Sequence, residues 1–566
     1  MTNSLGTTET LLGTLEDALC ITDAYVIAIS QTITTCLNHI DDKYTDTRPS
    51  YLIFGSILVF YSLLTLIKSA YVTLSSLTIG NVLYYVRTLP VIRAMVQKNF
   101  DKVGSELREE LLSVYQKEEF ISALPKRSYS SELVLKKIKH YQMFDTHNWQ
   151  HGRISGAIYT DNSARFNELL GSVYCSNMWS NPLHSDVFAG VRKMEAEIIR
   201  MVASMYRGDP SKIVGSVTSG GTESIIMACK AYRDYALKVK GIRGKPVIIA
   251  PVTSHAAFEK GANMLGCKII HIPMDPKTFK VDMNKMRRAI TKDTCMLVGS
   301  APQFPHGIID PIEKIGKLGL QHNIPVHVDA CLGGFLLPFM RQAGHELDEE
   351  FDFTVPGVTS ISADTHKYGY APKGTSVILY SEKKYIHQQY SIQTDWPGGI
   401  YASPTLPGSR PGGLIATCWA AMMYHGLEGY VKATDNIIKT TQWIKRELST
   451  LEGLKILGNP KVSVLAFASD KFDIYVLNAR LRDRGWNLNA LQFPSAFHLC
   501  VTLMHHNGSS HSKFVNDVKE IVAELMKGPR AKPSGSAAIY GMAQALPDRS
   551  CVAEICTRYL DGCLGF

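Results

Sequence analysis

The stretch ISADTHKYGYAPKGTS, residues 361–376, sets a lysine beside a histidine at what reads as the mouth of a sheet. Ile361 and Ser362 have the character of a buried strand's end, and Ala371-Pro372-Lys373-Gly374 that of a turn. A charged amine is costly to desolvate at such a place. Held there, the amine of Lys367 is expected to fall in pKa and to serve as a nucleophile for carbonyl chemistry. A lysine on a solvated loop would read the same in isolation, so the neighbouring segments decide.

Working outward, short β-branched runs alternate with helical patterns. KIVGSVTS precedes ESIIMACKAYRDYALKV, KPVIIAP precedes HAAFEKGANML, and CMLVGS precedes IEKIGKLGLQHN; IPVHVDA, VTSISAD and SVILYS follow. This order predicts an α/β unit over residues 137–430, with a mostly parallel central sheet flanked by helices. Sheets of that kind bind ligands at the carboxyl ends of their strands. Beyond residue 430, a helix followed by VSVLAFAS, DIYVLNARLRDRG and HLCVTL predicts a smaller C-terminal α+β domain over residues 431–566.

The chain is 566 residues long, too long for one ordinary core. Its net charge of +9 is spread out and not gathered into a basic, aromatic-studded stripe, which argues against a nucleic-acid partner. The 12 cysteines have no metal-finger spacing, so neither a structural metal nor a disulfide scaffold is expected. One region departs from the soluble pattern. YLIFGSILVFYSLLTLI, residues 51–67, carries no charge, and a helix over residues 51–72 would cross about 30 Å of hydrocarbon. Seven acidic residues against Lys43 and Arg48 precede it, whereas Lys68, Arg87, Arg93, Lys98 and Lys102 follow it against Asp101 alone. Positive charge stays on the cytosolic side, so the expected topology is a single pass with residues 1–50 lumenal. Residues 73–136 then form a membrane-proximal linker with helices, and the catalytic part is cytosolic.

Four stretches at or just beyond predicted strand ends carry chemistry. VTSGGTESI, residues 217–225, places Gly220, Gly221 and Thr222 at a helix start, where open N–H groups make a phosphate site or an ordinary N-cap. His255 in TSHAAFEK can stack on a flat cofactor or cap its own helix. Asp329 in PVHVDACLGG follows an apolar strand, where a carboxylate needs a partner: a pyridinium N–H, an internal arginine or a helix N-terminus. The fourth stretch is the one around Lys367. A phosphate cradle, a ring stacker, a carboxylate for a ring nitrogen and an amine for a Schiff base are the parts of a pyridoxal 5'-phosphate site.

With SGAIY, NPLH, DVFAGVRKMEAEI, HVDACLGGF, TDWPGGIYASPT and GSRPGG also present in order, the chain from about Lys137 onward resembles the sphingosine-1-phosphate lyases. These are membrane-anchored members of the pyridoxal-phosphate-dependent group II decarboxylases, of the fold-type I architecture. The resemblance implies that Lys367 bonds the cofactor, that Thr365 and His366 flank its phosphate, and that Gly220, Gly221 and Thr222 cradle it. It implies further that Asp329 keeps the pyridine nitrogen protonated and that His255 stacks on the ring. Tyr159, Asn181, His184 and Lys373 would hold the phosphate of a phosphorylated sphingoid base. Plain readings stand beside these: Tyr159 as an interior aromatic, Asn181-Pro182 as a turn, Lys373 as solvated. The implied enzyme is a homodimer with shared sites in the endoplasmic reticulum membrane. The competing reading is an amino-acid decarboxylase of the same fold, and intact Lys367, Asp329 and His255 speak against an inert scaffold.

Overall fold

The computed structural model of the chain describes residues 90–528 and 549–565, apart from 116, 117, 146 and 509. The chain divides into two compact units, one of Met1–Arg108 with Pro547–Phe566 and one of Glu109–Leu546. The described part of the first is helical: most of Pro90–Leu112, and Arg549–Cys563, with Arg558 paired to Asp101 at 2.9 Å. The expected membrane-crossing segment, residues 51–72, lies outside the described residues. Among the described residues no helix is long and apolar enough to cross a membrane.

The second unit is organised by a seven-stranded sheet. Its strands are β1 (Val214–Thr218), β2 (Val247–Pro251), β3 (Lys268–Ile272), β4 (Thr294–Ser300), β5 (Val326–Asp329), β6 (Val358–Ala363) and β7 (Ser376–Tyr380). The spatial order is β1-β7-β6-β5-β4-β2-β3. β7 runs antiparallel to both its neighbours, and the remaining pairs are parallel. A strand buried on both faces is apolar along most of its length, which is why VIIAP in β2 and CMLVG in β4 are continuous runs. Alternation then sorts the side chains. Val247, Ile249, Leu297, Val377 and Leu379 join the core on one face, while Ile248, Ala250, Met296, Val298 and Ile378 join the core on the other.

A two-stranded hairpin, β8 (Ser391–Gln393) and β9 (Tyr401–Ser403), precedes the helix Gly412–Ser449, which is broken in backbone conformation at Gly426 and leads out of this layer toward an antiparallel four-stranded sheet. Its strands are β10 (Lys455–Ile456), β11 (Val464–Ala468), β12 (Asn489–Leu491) and β13 (Ala496–Cys500), with helices Ile474–Asp483 and Ser510–Lys527 beside them. β1, β2, β4, β5 and β6 point the same way, so their carboxyl ends share one edge, where β7 begins. Register lines up polar residues along that edge: Thr218 opposite Ser376, Ser362 opposite Asp329, and Asp329 opposite Ser300.

Candidate active site

The glycine loop is fixed by its own helix. After β1, the Ser219 amide and hydroxyl both donate to Glu223 Oε2, at 2.7 and 2.6 Å, and Glu223 Oε1 accepts from the Leu406 amide at 3.0 Å. The Ser224 hydroxyl lies 2.7 Å from that of Thr218 and 2.9 Å from that of Ser376, tying the helix start to both strands. Gly220 provides no side-chain cap, so the first turn of Gly221–Lys238 keeps open N–H groups, with Thr222 exposed beside them. Gly221 has to be glycine, because a Cβ would lie 2.6 Å from Asp364 Oδ1. A Cβ on Gly220 would face the His366 ring at 4.0 Å. The loop after β1 and the loop after β6 therefore meet.

Lys367 enters this meeting point from the turn that follows β6. Its Nζ pairs with Asp364 Oδ2 at 2.8 Å, and Asp364 is 3% exposed. The expectation of a depressed lysine pKa is corrected here. Burial does oppose the ammonium, but the adjacent Asp364 carboxylate outweighs it and holds Lys367 above the usual lysine range. Asp364 in turn stays below the usual carboxylate range: burial raises it, and Lys367 and His366 more than offset that. His366 Nδ1 donates to the Thr375 carbonyl at 2.6 Å, its Nε2 lies 3.8 Å from Asp364, and burial lowers its pKa. Thr365 is turned inward, its hydroxyl donating to Thr375 Oγ1 at 2.7 Å.

Asp329, the last residue of β5, is buried, and its Oδ1 accepts from the Cys331 amide at 3.0 Å. A polar network backs it. Ser362 Oγ approaches the same oxygen at 3.5 Å, Cys331 Sγ donates to Ser362 at 3.2 Å, and His327 bridges Ser360 and Ser362 at 2.8 and 3.2 Å. Burial pushes His327 down to about 4, so it is a neutral hydrogen-bonding group near pH 7. His255, just past β2, is exposed; its Nδ1 accepts from the Ala257 amide at 3.1 Å, and its ring lies 6.4 Å from that of Phe304. It caps its helix and leaves its other ring nitrogen free of that bond.

The four residues expected to hold a substrate phosphate separate into two pairs. Lys373 Nζ lies 5.2 Å from the centre of the Tyr159 ring, which packs edge-on to Tyr368 at 4.8 Å. Burial and the charge of Lys367 lower the Lys373 pKa. Asn181 and His184 form a turn instead, the His184 amide donating to the Asn181 carbonyl at 3.0 Å. Asn181 Oδ1 also accepts from the Arg410 amide at 3.1 Å, and the Arg410 guanidinium forms a two-point ion pair with buried Glu195. His184 is exposed.

Asp364, Ser362, His327, Arg410 and Glu195 were not anticipated as site residues. Asp364 had a legible signal, an acid three residues before a lysine in one turn. The others are joined to the site only by sheet register and tertiary contact. Among the described residues no group of acids, histidines and cysteines could hold a metal ion. The residues present do fit a phosphorylated pyridoxal ring. The helix start is open, and buried polar atoms without a protein partner recur at the strand ends: Thr253 Oγ1, Ser254 Oγ, Ser300 Oγ and Asp364 Oδ1.

Residues 114–469 match the family described as pyridoxal-dependent decarboxylase conserved domain. The chain is 46% identical over 541 residues to a rat protein named sphingosine-1-phosphate lyase 1, covering 95% of this chain and 94% of that one. It is 47% identical over 476 residues to the Drosophila melanogaster sphingosine-1-phosphate lyase, covering 84% and 87%. Among solved structures, a Burkholderia pseudomallei sphingosine-1-phosphate lyase superposes with a TM-score of 0.70 at 37% identity, over 75% of this chain and 96% of that chain. A Lactobacillus brevis glutamate decarboxylase superposes at 0.63 with 16% identity, a likeness of fold alone.

Proposed function

The chain belongs to the sphingosine-1-phosphate lyases within the pyridoxal-dependent decarboxylase family, and from that membership we propose that it cleaves the C2–C3 bond of phosphorylated sphingoid bases. The products are phosphoethanolamine and a long-chain aldehyde. The observation that carries the reading is the convergence of Lys367, Asp364 and the Gly220–Gly221 helix start on one point of the sheet edge, with Asp329 two strands away from β7 along it.

Pyridoxal 5'-phosphate is the cofactor; bound, it supplies an aldehyde for an amine and a ring that takes up the electrons of the breaking bond. Lys367 is the residue that bonds it. The open first turn of Gly221–Lys238 and the neighbouring His366 edge receive its phosphate. Asp329, with its Oδ1 already engaged by the Cys331 amide, offers its second oxygen to a ring N–H. Neutral His327 and Ser362 keep that carboxylate in place. His255, held at Nδ1 by its helix, presents a flat face where a ring would stack. Tyr159 and Lys373 supply a hydroxyl and a cation for the substrate's phosphate.

The same proposal includes a homodimer with shared sites. It is supported by large exposed apolar side chains beside Asn181 and in and beside GGIYASPT: Trp179 at 87%, Ile400 at 82% and Leu406 at 61% exposure. Residues 51–72 are proposed to anchor the chain in the endoplasmic reticulum membrane with the catalytic part cytosolic, on the charge asymmetry around them. In that topology the formal acceptor Asn507-Gly508-Ser509 carries no glycan. The test of activity is product analysis: purified protein with cofactor and a phosphorylated sphingoid base should yield phosphoethanolamine and aldehyde in equal amounts. Release of carbon dioxide from glutamate or an aromatic amino acid, with no cleavage of the phosphorylated base, would establish the decarboxylase reading instead.

A further inference from the structure

Asp364 sits where a counter-ion has consequences. Oδ2 takes the Lys367 ammonium at 2.8 Å, while Oδ1, equally enclosed, has no protein partner. The same carboxylate lies against the backbone of Gly221, so tightly that a Cβ would meet both oxygens, at 2.6 and 2.8 Å. The lysine's counter-ion therefore stands at the first turn of Gly221–Lys238, beside the open N–H groups. The other titratable groups facing Lys367 are His366 and Lys373 from its own loop, Cys331 after β5, Tyr159 from the N-terminal side of the unit, and Cys500 from β13. Burial pushes Cys331 and Tyr159 up and Cys500 up to about 11, so near pH 7 these groups are neutral or cationic. The compensating negative charge comes from Asp364.

We propose that Asp364 is a positioning residue that holds the free amine of Lys367 as an ammonium, aimed at the helix start, and accepts the proton this amine must lose before it attacks an aldehyde. The inference rests on the reading of Lys367 as the lysine that bonds the cofactor, and adds what controls that amine. The balance is simple. As the C=N bond forms, nitrogen keeps one hydrogen and the positive charge, the aldehyde's C–O bond breaks, and the oxygen leaves as water with the two hydrogens lost from nitrogen. Asp364 Oδ2, already hydrogen-bonded to Nζ, is the nearest acceptor for the first of those protons. A buried ammonium without this carboxylate would lose its proton more readily, because desolvation would then act alone.

The experiment is trace acetylation of the cofactor-free full-length chain with acetic anhydride from pH 6 to pH 11. Modification of Lys367 is read by peptide mass spectrometry against exposed Lys212. In the wild type, Lys367 should still be gaining reactivity at pH 11, above the midpoint of about 10.4 for a free lysine. In Asp364→Asn the midpoint should fall below that value, and modification at pH 8 should rise by at least about tenfold, the effect of one pKa unit. A wild-type midpoint at or below that of Lys212, or identical profiles in the two proteins, would overturn the proposal. If the variant does not fold, the wild-type profile decides alone. Borohydride fixation of pyridoxal phosphate in the wild type separates the two claims. A label on another lysine removes the underlying reading, whereas a label on Lys367 with an ordinary acetylation profile removes only the role of Asp364.

Discussion

Replacing Arg410 by Met should strip a buried carboxylate of its counter-ion, and the structure sets the size of the effect. The Glu195 and Arg410 side chains are 11% and 9% exposed, and the guanidinium meets both carboxylate oxygens, one of them at 2.9 Å. Removing one member of such a pair costs about 3–5 kcal/mol, since the remaining charge stays buried. For a unit of this size that corresponds to a fall in melting temperature of roughly 3–5 °C. Replacing Glu195 by Met as well removes the stranded charge, so stability should recover. Recovery will be partial, because Glu195 Oε1 also accepts from the Val217 amide at 3.3 Å, and an orphaned buried N–H costs about 1–3 kcal/mol. The double variant should therefore melt between the single variant and the wild type. Calorimetry at fixed protein and cofactor concentration reads this directly. A single variant within about 1 kcal/mol of wild type, or a double variant melting below the single, would refute the reasoning.

Asp329→Asn should keep cofactor bound while lowering kcat by several orders of magnitude, since an unprotonated ring withdraws electrons poorly; near-normal turnover would remove Asp329 from the chemistry. Lys373→Ala and His184→Ala should each weaken handling of the phosphorylated base and leave the visible spectrum of the bound cofactor unchanged; unchanged kinetics in both would move the phosphate pocket elsewhere. Burial holds His306, His327, His498 and His505 down to about 4, against about 6.5 in an unfolded chain. Between those values the unfolded chain binds more protons, so stability should rise from about pH 4 to about pH 6.5 and level off above it. A melting temperature that is flat across that window would contradict this, and His327→Asn should reduce the slope.

The sheet was legible because burial on both faces forces continuous apolar runs, and VIIAP and CMLVG announce β2 and β4 as such, while the short β-branched runs between helices mark the other strands. Gly220, Asp329 and Lys367 could be placed at one edge because parallel strands share their carboxyl ends. The antiparallel sense of β7 was not legible: SVILYS reads the same in either direction, and only the connection from Asp364 to Thr375 limits where it goes. The state of Lys367 was misread for a different reason. Desolvation was weighed, but Asp364, three residues away in the same quoted stretch, was not paired with it. The network of His327, Ser360 and Ser362 depends on the register of β5 against β6, which no local pattern specifies. Arg410 and Glu195 are 215 residues apart, and nothing near either announces the other.

Reduction of the cofactor-loaded enzyme with borohydride, followed by peptide mapping, tests the central claim most directly. The account predicts one pyridoxyl group, carried on Lys367, and its absence from a folded Lys367→Ala variant treated in the same way. A pyridoxyl group on any other lysine of the wild type, or stoichiometric labelling of Lys367→Ala, would contradict it.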